Sequence, residues 1–468
     1  MIAFIGMIGF VQQLRIQKMF ASVLVDGRFT ETSGNSSSSV YSLLSWTADT
    51  QSSPNRQTIA ATKIAQLIHE LSRSKLRYYV YDDSILERRH MIQKVKDAGK
   101  TLYQTHEVFF EIHTIEILQS HPLRVYDPAL ADLYVIPMAV GAVMYGANKL
   151  FPKLYKESVE YLLEHPIFKS TMGHRHILFG MPVPQYSCKM YKSLRSLGIH
   201  NYYPDLWNVT VVDDKDSRGL QIIREQNLAL DHDYAKAFED LWYPLARYSF
   251  SMGLYAEKTI PLLPASWEKF HNSSYHIFYH SRESGSLHNS TQYRHAPFRP
   301  EVWAALNDTT ATATTSHRNS IGHDLERDEW LRRFTSSKFC LAIRGDTPHS
   351  HALSRAVKVG CIPVVVSDFW PLYSPTLRHF VALEDFSVVL DEKAFLEDPV
   401  RELQKLDQLS TDEIREKLEW LAFAQRIFFA EHPESLFVPA FLSQAMHASH
   451  VELGGPELVN QCKVWKPR

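Results

Sequence analysis

Residues 337–368 combine an arginine, a glycine and hydroxyl side chains in a spacing that suits phosphate chemistry. Two short apolar runs flank a segment of helical length, which predicts a βαβ unit and therefore a parallel sheet. Arg344 and Gly345 lie in the turn after the first run, followed by Thr347 and Ser350. A helix N-terminus offers N–H groups to an anion, and a guanidinium group binds phosphate through paired hydrogen bonds. The stretch therefore predicts a nucleotide-diphosphate pocket at the edge of a doubly wound domain.

The same stretch, together with segments upstream and downstream, resembles the exostosin-type glycosyltransferases. The similar segments occur in the order that this family has them and extend over residues 76–430. They are Lys338-Phe339-Cys340-Leu341, Arg344-Gly345-Asp346, Gly360-Cys361-Ile362-Pro363-Val364, Asp385-Phe386-Ser387-Val388, and, upstream, residues 78–82, 127–137 and 276–282. Each segment alone is a weak signal, whereas the ordered set is specific.

The resemblance implies an α/β protein with the GT-B fold, in which two Rossmann-like domains face a central cleft. It implies an inverting transfer of a sugar from a nucleotide sugar, with a UDP-sugar expected, to a polysaccharide or a glycoprotein glycan. No cofactor or bound metal is expected, because fixed positive charge and helix N–H groups stabilise the departing diphosphate. The formal net charge of −2 argues against nucleic acid as a partner. Assembly with other glycosyltransferases, or with a second copy of the chain, is a further expectation.

The resemblance also indicates which side chains surround the donor. Arg344 is the first candidate for stabilising the leaving group, and Arg282 occupies the place of a phosphate-region arginine. Trp330 is a candidate for stacking on the base, although burial in the core is an equally good interpretation. For the arginines the alternative is an ordinary surface or structural ion pair. The donor-side candidates are Arg282, Arg299, Trp330, Arg344, Gly345, Asp346, Ser350 and Arg355.

The helix after Arg344 departs from the family pattern. Where the family has an arginine and, three residues later, a carboxylate for the ribose hydroxyls, this chain has Ala352 and Arg355. A guanidinium group cannot accept hydrogen bonds from ribose. Glu384 or Asp385 could take over this role from a later loop. The departure also motivates a second hypothesis, in which the chain is a non-catalytic partner or stabiliser of an active transferase.

The general base is not defined by any motif. Asp83 follows the first predicted strand, where Rossmann-like clefts lie, and His176 begins another predicted strand. Both are candidates for removing a proton from the acceptor hydroxyl. A structural role is the commoner one for each residue type at such positions.

Two other chemistries are less well supported by the sequence. Asp-x-Asp motifs occur at residues 214–216 and 231–233, but they are frequent by chance in acidic loops, and GT-B chemistry does not use them. A glycoside hydrolase would need two opposed carboxylates, and no loop presents an evident pair. The 23 histidines form no zinc motif.

The four cysteines and the five glycosylation sequons give information on the cellular compartment of the chain. Cys340 and Cys361 lie on adjacent predicted strands, as small buried residues or as a disulfide; the other two are Cys188 and Cys462. An excess of sequons favours a lumenal or extracellular chain. The sequon asparagines are Asn35, Asn208, Asn272, Asn289 and Asn307.

The predicted organisation is an N-terminal segment, a stem, two domains and a tail. Residues 1–29 are interpreted as a truncated signal anchor, which predicts a Golgi membrane protein of type II orientation with a lumenal catalytic region. Residues 30–57 are a Ser/Thr-rich stem. Residues 58–255 form the acceptor-side domain, residues 256–450 the nucleotide-sugar domain, and residues 451–468 a tail. Within the first domain, strands are predicted at 76–81, 133–136 and 176–179, with Pro137 ending the second.

Overall fold

The computed structural model describes residues 56–99, 109–146, 150–179, 210–213, 248–251, 256, 258–280, 319–322, 325–343, 350–366 and 377–450. All of them belong to one compact unit, Ser53–Arg468. Within these ranges, every helix is too short or too polar to span a membrane. The predicted anchor at residues 1–29, almost all of the stem and the tail lie outside the described residues.

A parallel six-stranded sheet forms the first half. Its order is β2-β1-β3-β4-β5-β6, with every neighbouring pair parallel. From β1 the chain continues to β2, on one side of β1, and then to β3, on the other side of β1. This reversal is a topological switch point between β1 and β3. The strands are β1 (Tyr78–Val80), β2 (Arg124–Val125), β3 (Leu133–Ala139), β4 (His176–Phe179), β5 (Thr210–Asp213) and β6 (Tyr248–Ser251).

Helices cover both faces of this sheet. On one face Tyr78, Val80, Ile112 and Ile115 enter a core that continues into the second half. On the other face Tyr81 and Tyr134 pack against α6 and α7. The helices are α1 (Arg56–Ser72), α2 (Ser84–Glu87), α3 (Arg89–Gly99), α4 (Phe109–Ser120), α5 (Val140–Gly146), α6 (Phe151–Glu164) and α7 (Pro166–Thr171).

Strand β3 continues through Pro137 to Ala139, so the prediction that the proline ends this strand is wrong. Proline has no N–H to donate to the neighbouring strand. Within a sheet it is therefore found where a β-bulge interrupts the pairing, and the strand can continue beyond it. The pairing with β4 shifts register between Ile136 and Ala139, as expected for a bulge around Pro137. The extension brings the start of α5 to the carboxyl edge of the sheet. There the buried Glu111 carboxylate accepts the Gly141 N–H at 2.9 Å.

A second parallel sheet of five strands follows. Its order is β11-β10-β9-β7-β8, so its switch point lies between β7 and β9. The predicted domain boundary at residues 255/256 falls between β6 and β7. The strands are β7 (Tyr275–His280), β8 (Ser320–Gly322), β9 (Ser337–Ile343), β10 (Ile362–Val366) and β11 (Val388–Leu390).

The helices of the second half surround this sheet. One of them, α14, begins with a capping box in which Ser410 and Glu413 bond reciprocally. The helices are α8 (Trp267–Asn272), α9 (Arg327–Thr335), α10 (His351–Lys358), α11 (Leu383–Phe386), α12 (Glu392–Glu397), α13 (Pro399–Gln404), α14 (Thr411–Phe428) and α15 (Phe437–Ala448).

Two C-terminal helices join the halves. Phe441 of α15 stacks on Phe179 of β4, with the ring centroids 6.1 Å apart. Lys63 of α1 lies over the Trp420 ring of α14 at 5.1 Å. The same apolar core therefore contains residues of both sheets. Two parallel, helix-covered sheets joined in this way constitute the Rossmann-like GT-B architecture.

A buried glutamine fixes α14 to the second sheet. Gln425 accepts the Ala265 N–H at 3.1 Å and donates to the Leu263 and Val357 carbonyl oxygens, each at 2.7 Å. These bonds satisfy backbone groups that would otherwise be buried without partners. Gln425 therefore secures the carboxyl end of α10, the helix that follows the predicted phosphate turn.

The cysteines of the βαβ unit are bonded. Cys340 and Cys361 form a disulfide with their Cα atoms 5.9 Å apart, and both residues are buried. Of the two interpretations open from the sequence, the structure selects the disulfide. It ties β9 to the residue before β10 across α10.

We expect Gly360→Ala to destabilise the protein. Gly360 has φ +62°, and a Cβ atom there would lie 2.8 Å from the Pro264 carbonyl oxygen. Strain in this backbone region and the clash with the main chain together should lower the unfolding free energy by about 2–4 kcal/mol. Urea denaturation measures the effect, and an unchanged midpoint and slope would contradict it.

Candidate active site

Two of the arginines predicted to bind the donor follow strands that end at the carboxyl edge of the second sheet. β7 and β9 are parallel neighbours, with Phe278 opposite Cys340, and both end at the switch point. Arg282 is the second residue after β7, and Arg344 is the first after β9. Ligands bind at such points in open parallel sheets. The side chains of Arg282, Arg299, Arg344, Gly345 and Asp346 themselves lie outside the described residues.

Helix α10 begins at this edge. The Ser350 hydroxyl accepts the Ala352 N–H at 3.2 Å, so Ser350 is the N-cap of the helix. Its side chain therefore serves α10 itself in this structure. The first turn contains no acidic residue, which leaves the dipole of the helix uncompensated and favourable to an anion.

Arg355 lies one turn further along α10 and is half-buried. Lys358 lies further along α10 and is buried. Its Nζ is 2.8 Å from Glu431 Oε1, so the two residues form an ion pair. α10 thus carries positive charge from its middle to its end. The structure places Arg355 on α10, the helix that the sequence predicts between the two apolar runs.

Glu384 and Asp385 lie at the opposite edge of the sheet. They belong to α11, which directly precedes β11, and so occupy the amino edge. Asp385 accepts the Ala382 N–H at 2.8 Å, and burial raises the pKa of its carboxyl group. Neither residue is placed to replace a ribose-binding carboxylate at the carboxyl edge.

Trp330 is packed within α9 and against β7. Its ring lies 4.8 Å from that of Phe334 and 5.7 Å from that of Phe278. The Arg327 guanidinium lies over the same ring at 5.3 Å. These contacts support the interpretation of Trp330 as a core residue rather than a stacking platform for a base.

One polar pair at this edge was missed by the sequence reasoning. His280, the last residue of β7, has Nε2 2.9 Å from the buried Ser320 hydroxyl of β8. Its position directly before Ser281-Arg282 was the available signal. The pair fixes a histidine beside the chain segment that leads to Arg282.

The carboxyl edge of the first sheet carries Asp83. This residue follows β1 at the switch point, and its side-chain exposure is 27%. The Tyr161 hydroxyl of α6 donates a hydrogen bond to Asp83 Oδ1. His165 Nε2 lies 3.9 Å from Asp83 Oδ2. The aspartate is therefore held in one orientation and remains accessible.

His176 is fully buried, which counts against its predicted role as a base. Its Nε2 is 2.7 Å from the Tyr81 hydroxyl and its Nδ1 is 3.1 Å from the His174 carbonyl oxygen. Since a carbonyl oxygen only accepts, Nδ1 carries the proton and Nε2 accepts from Tyr81. Tyr134 stacks on the ring at 4.8 Å. A substrate cannot reach either nitrogen in this arrangement.

Asn272 ends α8 and is exposed, as a glycosylated asparagine must be. The other sequon asparagines, Asn35, Asn208, Asn289 and Asn307, lie outside the described residues.

We expect His176 to make stability depend on pH. Burial lowers its pKa from 6.5 to about 4, so the unfolded chain binds more protons between these values. The contribution of neutral His176 is complete above pH 6.5 and is lost as the pH falls to 4, about 3 kcal/mol in all. His176→Gln should flatten the pH dependence of the unfolding free energy in this window. Equal slopes for both proteins in urea denaturation would contradict the assignment.

The sequence is similar to a known protein family and to two named relatives. Residues 275–406 match the Exostosin GT47 domain, a range that begins with β7 and contains all five strands of the second sheet. A probable beta-1,4-xylosyltransferase of Arabidopsis thaliana is 23% identical over 325 residues, 68% of each chain. A probable glucuronosyltransferase of Oryza sativa subsp. japonica is 23% identical over 300 residues, 63% of this chain and 62% of that protein. The part of the chain that forms the second sheet is therefore similar to the Exostosin GT47 domain, and both relatives are named as glycosyltransferases.

Proposed function

We propose that this chain is an inverting glycosyltransferase that moves a sugar from a UDP-sugar to a polysaccharide or a glycoprotein glycan. One observation carries the proposal: the GT47 match covers the sheet whose switch-point strands lead directly into Arg282 and Arg344. The sequence has an arginine shortly after each of these two strands, and guanidinium groups are suited to bind a diphosphate. The relatives are named for xylosyl and glucuronosyl transfer, so UDP-xylose and UDP-glucuronic acid are the first donors to examine.

The proposed chemistry is a single displacement at the anomeric carbon. The acceptor oxygen forms the new bond on the face opposite the nucleotide, and its proton passes to Asp83. The bond between the anomeric carbon and the β-phosphate oxygen breaks, and UDP departs with the electron pair. Arg344 and Arg282 meet the negative charge that develops there, together with the N–H groups that begin α10. Asp83 is the better placed of the two predicted bases, because it is accessible whereas His176 is buried.

We expect UDP to raise the melting temperature of the protein and Arg344→Ala to abolish this shift. The lost guanidinium group removes a charge-assisted contact to the diphosphate, which should weaken binding at least about tenfold. Thermal-shift titrations with UDP, GDP, UDP-xylose and UDP-glucuronic acid measure the effect. Arg401→Ala, at an exposed position on α13, is the matched control and should bind as the wild type does.

Two results would contradict this account of the donor site. A full UDP-induced shift in Arg344→Ala would mean that the diphosphate lies elsewhere. A folded wild-type protein with no shift for any nucleotide would favour the alternative of a non-catalytic partner subunit, in which Arg355 replaces the carboxylate of active relatives.

We further propose that the described part of the chain works in the Golgi lumen, attached to the membrane in type II orientation. The buried Cys340–Cys361 disulfide supports an oxidising compartment. The exposed sequon asparagine at the end of α8 supports access to the glycosylation machinery.

Asn272→Gln should remove one glycan from protein expressed in a eukaryotic secretory system, seen as a faster band that endoglycosidase treatment reproduces in part. Ser274→Ala leaves the asparagine but destroys the sequon, and it should give the same change. Identical mobility of the wild type before and after endoglycosidase treatment would contradict the lumenal placement.

A further inference from the structure

Asp83 occupies a helix N-cap position but does not cap the helix. It precedes α2 with extended backbone angles, and its carboxylate makes no bond to the N–H groups of that helix. The carboxylate instead meets the Tyr161 hydroxyl at the end of α6. An aspartate at such a position ordinarily satisfies the backbone of its own helix. The hydrogen bond between the Asp83 carboxylate and Tyr161 therefore requires another explanation.

Tyr161 is suited to be a permanent donor to this carboxylate. The hydrogen bond to Asp83 is the main cause that raises the pKa of Tyr161 to about 12, with burial and the charges of Asp83 and Asp82 adding to it. The phenol therefore keeps its proton at neutral pH. One carboxylate oxygen, Oδ1, is occupied by this bond.

His165 faces the second oxygen. Its Nδ1 accepts the Ile167 N–H at 3.4 Å as the cap of α7, so the neutral ring carries its proton on Nε2. Nε2 lies 3.9 Å from Asp83 Oδ2, which is too far for a hydrogen bond but close enough for attraction. The Tyr81 ring packs edge-on against His165 at 4.8 Å and holds it there.

We propose that Tyr161 is a positioning residue, which holds the Asp83 carboxylate at the switch point so that Oδ2 receives the proton of the acceptor hydroxyl. The inference rests on the proposed function. His165 assists by orienting the dipole of its Nε2–H toward the same oxygen. When the acceptor oxygen attacks, the O–H bond breaks, its proton forms a bond to Oδ2, and the bond from Tyr161 to Oδ1 stays intact.

Tyr161 and His165 approach Asp83 from α6 and the residue after it, whereas Asp82, Tyr79 and Tyr81 come from β1 and its extension. Burial raises the pKa of Tyr79 and of Tyr81, so both phenols are neutral at working pH. The Tyr161 hydroxyl donates the hydrogen bond that fixes Asp83 Oδ1. Removing this hydroxyl should therefore leave the carboxylate free to rotate and slow proton transfer to Oδ2, without changing how the acceptor binds.

The test is a set of initial-rate measurements at neutral pH, with UDP-xylose or UDP-glucuronic acid as donor and a xylo-oligosaccharide as acceptor. Asp83→Asn should lower acceptor-dependent UDP release at least about 100-fold. Tyr161→Phe should lower kcat about tenfold and leave the acceptor KM within about twofold. Tyr134→Phe removes a hydroxyl that donates to the Pro128 carbonyl, and this control should change none of these.

Several results would overturn the inference. Wild-type kcat in Tyr161→Phe would exclude the positioning role, as would full activity of Asp83→Asn. Both variants should keep the UDP-induced melting shift, so these failures would leave the donor site standing. Absence of turnover by the wild type would overturn the proposed function and this inference together.

Discussion

Parallel pairing of β7 with β9 is the constraint on which the proposed donor site depends. Because these strands run the same way and flank the switch point, the segments that follow them start from one edge of one sheet. The disulfide ties β9 to the start of β10. Gln425 binds the end of α10 to α14 through backbone groups. Packing and covalent structure thus fix the strand ends and the helix that any phosphate turn between them must join.

The first sheet also has a switch point, between β1 and β3, to which we assign a different role. Its switch point presents a carboxylate, Asp83, where the second sheet leads into arginines. Helices α14 and α15 connect the halves through one apolar core, in which Phe441 stacks on Phe179. In the proposed reaction Asp83 takes the proton and the two arginines meet the leaving group, because the proton and the leaving group depart on opposite sides of the anomeric carbon.

Local patterns predicted much of this architecture. Strand β4 has the bounds expected from the sequence, and the disulfide of the βαβ unit is one of the two interpretations that the sequence left open. The misplaced end of β3 shows the limit of a local rule: Pro137 disrupts one ladder bond, but its neighbours on both sides keep the strand in the sheet. The approach of Tyr161 to Asp83 joins residues far apart in the chain, and it depends on how α6 packs against β1. The spacing of residues along the sequence does not reveal that these two side chains meet. The same holds for the burial of His176 and for the location of Asp385 at the amino edge.

The most direct test of the central claim is hydrogen–deuterium exchange of the full chain with and without saturating UDP. Bound nucleotide should slow exchange in the peptides that follow β7 and β9, including the start of α10, and leave the peptides of β5 and β6 unchanged. Protection confined to the first sheet, with no change after β7 and β9, would contradict the placement of the donor site.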